Sequence, residues 1–77
     1  MRVEVQLYAT LRKYGPPDGG PRTVVVAEGE RLGRVLEAIG IPADVERVIL
    51  VNGRPATADS VLQEGDRVVL FPPVAGG

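Results

Sequence analysis

One stretch of this 77-residue chain repeats its apolar residues at a helical period. Leu32, Val35, Leu36 and Ile39 fall at i, i+3, i+4 and i+7, one face of a short helix beginning near Arg31. Gly40 stands where such a helix stops, with Pro42 just beyond. The start is less regular. No Ser, Thr, Asp or Asn occupies the N-cap, and Gly33 in the first turn costs about 1 kcal/mol in propensity. Glu28 and Glu30 near the start suit the helix dipole, and the small Gly33 would permit close packing on a sheet. One short helix cannot cover both faces of a sheet, so the rest of the chain has to form a layer with one face more open.

The flanking segments read as strands. Val3, Val5 and Leu7 alternate with Arg2, Glu4 and Gln6, the period of a half-buried strand, and Leu11 follows at its exit. Residues 14–21, Tyr14 to Pro21, are dominated by glycine and proline and form a loop expected to be mobile on its solvent side. Thr23 to Val26 is β-branched or apolar throughout and pairs as a hairpin with the first strand. Residues 41–47 connect, with a helical turn possible around Asp44, Val45 and Glu46. Val48-Ile49-Leu50-Val51 is a continuous apolar run, as in a strand buried on both sides or central in its sheet. Asn52-Gly53 is a strong hairpin-turn signal. Arg54-Pro55-Ala56 can be only a brief edge strand, because proline cannot donate to a ladder. Residues 58–62 read as a turn with Leu62 reaching the core, and Glu64-Gly65-Asp66 as another. Arg67 to Phe71 is the last strand, stopped by Pro72-Pro73.

Strand, strand, helix, strand, short strand, strand is an α+β order. The helix acts as a crossover that places a later strand beside the first. A mixed sheet of four to five strands packed on one helix is the ubiquitin-like β-grasp arrangement. The expected organisation is a domain over residues 1–71 and an extended C-terminal tail over residues 72–77. Composition narrows the function. A net charge of −1 gives no basic field for nucleic acid. No apolar run approaches a membrane span, and the start reads as a strand rather than a signal peptide. The absence of cysteine rules out a disulfide framework and a thiol nucleophile, and fits a reducing cytoplasm. With no histidine either, the chain has no plausible zinc site and no Cys- or Ser-His catalysis.

The chain ends Phe71-Pro72-Pro73-Val74-Ala75-Gly76-Gly77. Glycine has no Cβ, so such an end can enter a narrow channel. Its terminal carboxylate is ionised in the cell and can attack the α-phosphorus of ATP to form an acyl-adenylate. That mixed anhydride is open to sulfide, persulfide, thiol or amine, and no side chain on Gly77 crowds its carbonyl carbon. Pro72 and Pro73 fix φ and favour an extended exit, which lowers the entropy lost when a partner orders the tail. Floppy termini also end in glycine, so the ending gains weight from the β-grasp pattern and the proline exit beside it.

The sequence resembles the MoaD/ThiS family of ubiquitin-like sulfur carriers over its whole length. The match is carried by Leu7-Tyr8-Ala9-Thr10-Leu11-Arg12, Val51-Asn52-Gly53, Leu62-Gln63-Glu64-Gly65-Asp66 and the segment from Phe71 to Gly77. The Pro-Pro-Val stretch is more similar to the molybdopterin-synthase small subunits than to the thiazole sulfur carriers. Tyr8, where phenylalanine is common, and the long Gly/Pro loop at 15–21 depart from the family pattern. The resemblance implies that an adenylating enzyme of the ubiquitin-activating type adenylates Gly77, and that a sulfur donor converts the adenylate to a thiocarboxylate. A molybdopterin synthase large subunit then receives the tail, and sulfur passes to a pterin precursor. It implies that Gly76 and Gly77 are the reactive end, that Phe71, Pro72, Pro73, Val74 and Ala75 contact partners, and that the chain has no turnover of its own. No cofactor is expected on the domain itself; ATP is used by the activating enzyme. Related carriers serve thiazole, cysteine synthesis and tRNA thiolation, and a ubiquitin-like protein modifier has the same end.

The remaining polar groups have plainer readings. Ser60, the only serine, is expected to cap a turn, and Asp59, Glu64 and Asp66 stand at turn signals. Arg12, Lys13, Arg31 and Arg34 are solvated surface or partner rim. Phe71 is balanced between core and interface, and an exposed Leu70 or Phe71 would mark a docking patch.

Overall fold

The computed structural model describes residues 1–42 and 44–73. Five strands form one sheet: β1 (Arg2–Leu7), β2 (Arg22–Val25), β3 (Val48–Val51), β4 (Arg54–Pro55) and β5 (Arg67–Phe71). Their spatial order is β2-β1-β5-β3-β4. β1 runs antiparallel to β2 and parallel to β5, with Val5 opposite Val68 and Leu7 opposite Leu70. β3 is antiparallel to both β5 and β4. The helix α1 (Leu32–Ala38) lies between β2 and β3 in the chain and closes one face of the sheet.

The two periodicities meet in a single core. Val3, Val5, Leu7, Val24, Ile49, Val68 and Leu70 come from one face of the sheet, and Leu32, Val35, Leu36 and Ile39 from α1. Leu11, Ile41 and Leu62 close the edges, and no polar or charged residue is buried with them among the described residues. Burial of this kind stabilises by about 1.5–3 kcal/mol per large side chain before the entropy of ordering is subtracted.

Several elements differ from the sequence expectation for reasons outside their own residues. β2 begins and ends one residue earlier than Thr23–Val26, because its register is set by the pairing of Arg2 with Val25. The run at 48–51 is not buried on both faces: only Ile49 is fully buried, and β5 takes the centre of the sheet. Residues after β1 are not simple strand exit and loop. Ala9–Tyr14 forms a 3₁₀ helix that sinks Leu11 into the core. The Gly/Pro segment that follows is tied down by backbone and side-chain bonds, among them Gln6 Nε2 donating to the Gly19 carbonyl at 3.1 Å and Arg22 donating to the Tyr14 carbonyl at 3.1 Å.

α1 solves its missing N-cap with backbone from elsewhere. The Leu32 N–H donates to the Ser60 carbonyl and the Gly33 N–H to the Ala58 carbonyl, both at 2.9 Å. Donors that a capping side chain would satisfy are thus taken up by the turn at 57–60. Ser60 braces that turn, its Oγ accepting from the Thr57 N–H at 3.0 Å. The acids near the helix start lie before it, and the first turn itself holds none. Gly33 gives close approach to this turn rather than to the sheet, since a Cβ there would stand 3.2 Å from the Ala58 carbonyl oxygen. At the other end, Gly40 adopts φ +85°, its N–H reaches the Glu37 carbonyl, and the Ile41 N–H reaches the Leu36 carbonyl. This is the paired hydrogen-bond pattern of a Schellman stop, completed by the buried Leu36 and Ile41.

Candidate docking face and tail exit

Among the described residues, no layer covers the face of the sheet turned away from α1. Alternation along the strands decides which side chains it carries. With Val68 and Leu70 buried, Arg67, Val69 and Phe71 point outward from β5. Register then sets Gln6, Val69, Leu50 and Pro55 in one row across the sheet. Val48 lies opposite Phe71 in the next row. Tyr8 joins that end, its N–H donating to the Leu70 carbonyl at 3.0 Å and its side chain half exposed. Val48, Leu50, Val69 and Phe71 are each only partly buried. They form an apolar strip without a covering layer among the described residues.

Towards β1 the strip becomes polar. Glu4, Gln6, Tyr8, Pro21, Arg67 and Val69 line a shallow depression of about 380 Å³. Glu4 and Arg67 face each other across β1 and β5 at 3.7 Å. Both side chains remain largely in water, so the pair sets local charge more than it stabilises the fold. Among the described residues no group of acids, histidines or cysteines could hold a metal ion. No helix there is long and apolar enough to cross a membrane.

Phe71 ends β5, Pro72 is half-buried and Pro73 is exposed. The sequence left Phe71 between core and interface. It stands on the open face, half-buried, while its neighbour Leu70 is fully buried and takes the core position. Phe71, Pro72 and Pro73 are therefore brought together with the apolar strip at the end of the central strand. Val74, Ala75, Gly76 and Gly77 lie outside the described residues.

Sequence reasoning missed Val48, Leu50, Val69 and Tyr8 as members of this face. The signal was there for three of them. A run of four apolar residues in β3 and an apolar Val69 between Val68 and Leu70 leave outward positions that a solvated sheet would fill with polar groups. Glu64 and Asp66, read as turn acids, do hold turns: Glu64 accepts from the Arg2 N–H at 2.7 Å, and Asp66 from the Gln63 N–H at 2.9 Å. Asp59 stands near Arg31 at 3.9 Å with both side chains exposed.

A five-stranded mixed sheet in this order, one helix on its inner face and an apolar outer face beside a proline exit define a ubiquitin-like β-grasp domain. The chain belongs to the ThiS family, whose model matches residues 5–77. A molybdopterin synthase sulfur carrier subunit of Phaeosphaeria nodorum is 38% identical over 45 residues, or 58% of this chain and 47% of that protein. The chain thus spans about half the length of the curated relative it matches. Among solved structures, the putative molybdopterin converting factor subunit 1 of Pyrococcus furiosus superposes with a TM-score of 0.75 at 29% identity, covering 95% of this chain and 98% of its own. SAMP1 of Haloferax volcanii, a small archaeal modifier protein, gives a TM-score of 0.80 at 25% identity with both chains covered in full.

Proposed function

We propose that this chain is a sulfur carrier and the small subunit of a molybdopterin synthase-type complex. The observation that carries the reading is the apolar strip formed by Val48 and Leu50 of β3 beside Val69 and Phe71 of β5, the strand that leads directly into the Pro72-Pro73 exit. A partner docked on that strip receives the tail in a fixed direction. The domain at 1–71 presents the tail, and the tail at 72–77 does the chemistry.

The Gly77 carboxylate oxygen attacks the α-phosphorus of ATP on an adenylating enzyme of the ubiquitin-activating type, and pyrophosphate leaves. A sulfide-level donor then attacks the acyl carbon. AMP leaves, and the end becomes a thiocarboxylate. In the large subunit that sulfur is passed to the pterin precursor of the molybdenum or tungsten cofactor. This domain's own part is to bind, to aim the tail and to keep its end unhindered, with Gly76 beside Gly77. No resident cofactor is needed for that part. The low charge and the absence of an apolar span fit a cytoplasmic protein.

Deleting Gly77 tests the reading. The truncated protein is expected to unfold at the same temperature as the parent and to lose all sulfur transfer in the presence of the activating enzyme, ATP and a sulfide source. Retained transfer would overturn it. A second reading is favoured by the likeness to SAMP1: a protein modifier joined to lysines through Gly77. Mass spectrometry separates the two. A carrier gains the mass of a sulfur-for-oxygen exchange, whereas a modifier leaves Gly-Gly remnants on other proteins.

A further inference from the structure

Asn52, the only asparagine of the chain, precedes Gly53 in the β3–β4 turn. Both residues have positive φ, 51° and 81°, the pattern of a type I′ hairpin. The side chain is nevertheless not free. Its Nδ2 donates to Asp66 Oδ1 at 2.9 Å, and its Oδ1 accepts from the Arg67 N–H at 3.0 Å. The Asn52 N–H in turn donates to the Arg67 carbonyl at 2.8 Å. Reversing the carboxamide would set donor against donor and acceptor against carboxylate, so its orientation is determined by its partners. Asp66 is held from the other side by the Gln63 N–H. The turn after β3 and the start of β5 are thus clamped through one carboxamide that stands at the exposed surface.

We propose that Asn52 is a site of spontaneous deamidation gated by this clamp. Glycine leaves the following backbone nitrogen uncrowded, which is what the reaction needs. The Gly53 nitrogen attacks Asn52 Cγ and a C–N bond forms. The C–Nδ2 bond breaks, and the Gly53 proton leaves with Nδ2 as ammonia. Water then opens the cyclic imide at either carbonyl, giving aspartate or an isoaspartyl linkage at position 52. While the clamp is closed, Cγ cannot turn towards the Gly53 nitrogen without breaking both side-chain hydrogen bonds. The reaction therefore proceeds from the opened turn, at a rate set by how often it opens. Either product loses the Nδ2 donor that faces Asp66 and adds a carboxylate: on the side chain in aspartate, on Cα in the isoaspartyl form. An isoaspartyl link also adds a backbone carbon to a two-residue turn. The bond to Asp66 cannot re-form on the product, so each event loosens the turn from the start of β5.

The full chain, aged at neutral to mildly alkaline pH, provides the test. Trypsin releases residues 48–67 as one peptide, because Arg54 precedes proline, and peptide mass spectrometry reads the amide-to-acid change at position 52. The folded parent is expected to deamidate at least about fivefold more slowly than the same chain in urea. Asp66→Ala is expected to restore a severalfold faster rate while folded, beyond that of Leu36→Ala, which loosens the core without touching the clamp. Equal rates for folded and unfolded parent would overturn the proposal. So would an Asp66→Ala rate no higher than that of Leu36→Ala, or an unfolded chain that keeps its amide. Should Asp66→Ala fail to fold, Asn52→Asp gives a second reading: it is expected to melt below the parent, and an unchanged melting temperature would rule out the clamp.

Discussion

Gly33 is a glycine because the start of α1 is pressed against the Ala58 carbonyl. A Cβ there would stand 3.2 Å from that oxygen and 3.4 Å from the Ala58 Cβ. A single methyl can be accommodated by a shift of a few tenths of an ångström, and alanine regains about 1 kcal/mol of helix propensity. A branched side chain has no such room. Gly33→Val is expected to destabilise by about 1–3 kcal/mol, and Gly33→Ala to stay near neutral, as read from urea unfolding midpoints. The pair of variants separates packing from propensity at one position. The residue's oddity was visible in the sequence, but not its cause, because Ala58 is distant in the chain and reaches Gly33 only through the fold.

At the scale of elements, local pattern foretold the strands and the helix, and non-local partners decided the rest. Alternation from Val3 to Leu7 and the Asn52-Gly53 turn were legible because each depends on its own few residues. The 3₁₀ helix at Ala9–Tyr14 was not, since it forms around a single apolar anchor, Leu11, with no period to read. The N-terminus of α1 looked uncapped because its acceptors are main-chain carbonyls, which carry no residue signature. The tail was read from its composition, whereas the apolar strip required the register that sets Leu50 beside Val69 and Val48 beside Phe71. That register gives a specific expectation. Leu50→Arg places a charge at the centre of the strip without entering the core. It is expected to weaken binding to the partner subunit by about tenfold or more, measured by titration calorimetry, with the melting temperature nearly unchanged. Loss of the fold in this variant would mean that the outer face carries stability and not docking.

Over the whole molecule, the buried core and the uncovered apolar strip occupy different sides of one sheet. The inner face holds the core. The described ion pairs, Arg31–Asp59, Arg34–Glu37 and Arg67–Glu4, are exposed and add little to it. The outer face carries the apolar strip, and that strip meets the Pro72-Pro73 exit at the end of β5. That strand is also the centre of the sheet, with four residue pairs to β1 on one side and four to β3 on the other. A partner that grips the tail and moves pulls along the axis of β5, across both rows of hydrogen bonds. The rows then bear the load together in shear instead of parting one bond at a time. Because β1 and β5 are parallel neighbours, a single-molecule pull through the two ends of the chain is expected to meet one cooperative rupture, and stepwise peeling of β5 would contradict this. The strand order therefore gives the C-terminal end of β5 a firm mechanical anchorage, and a pull on the residues that follow it is spread over two neighbouring strands before it can drag the fold apart.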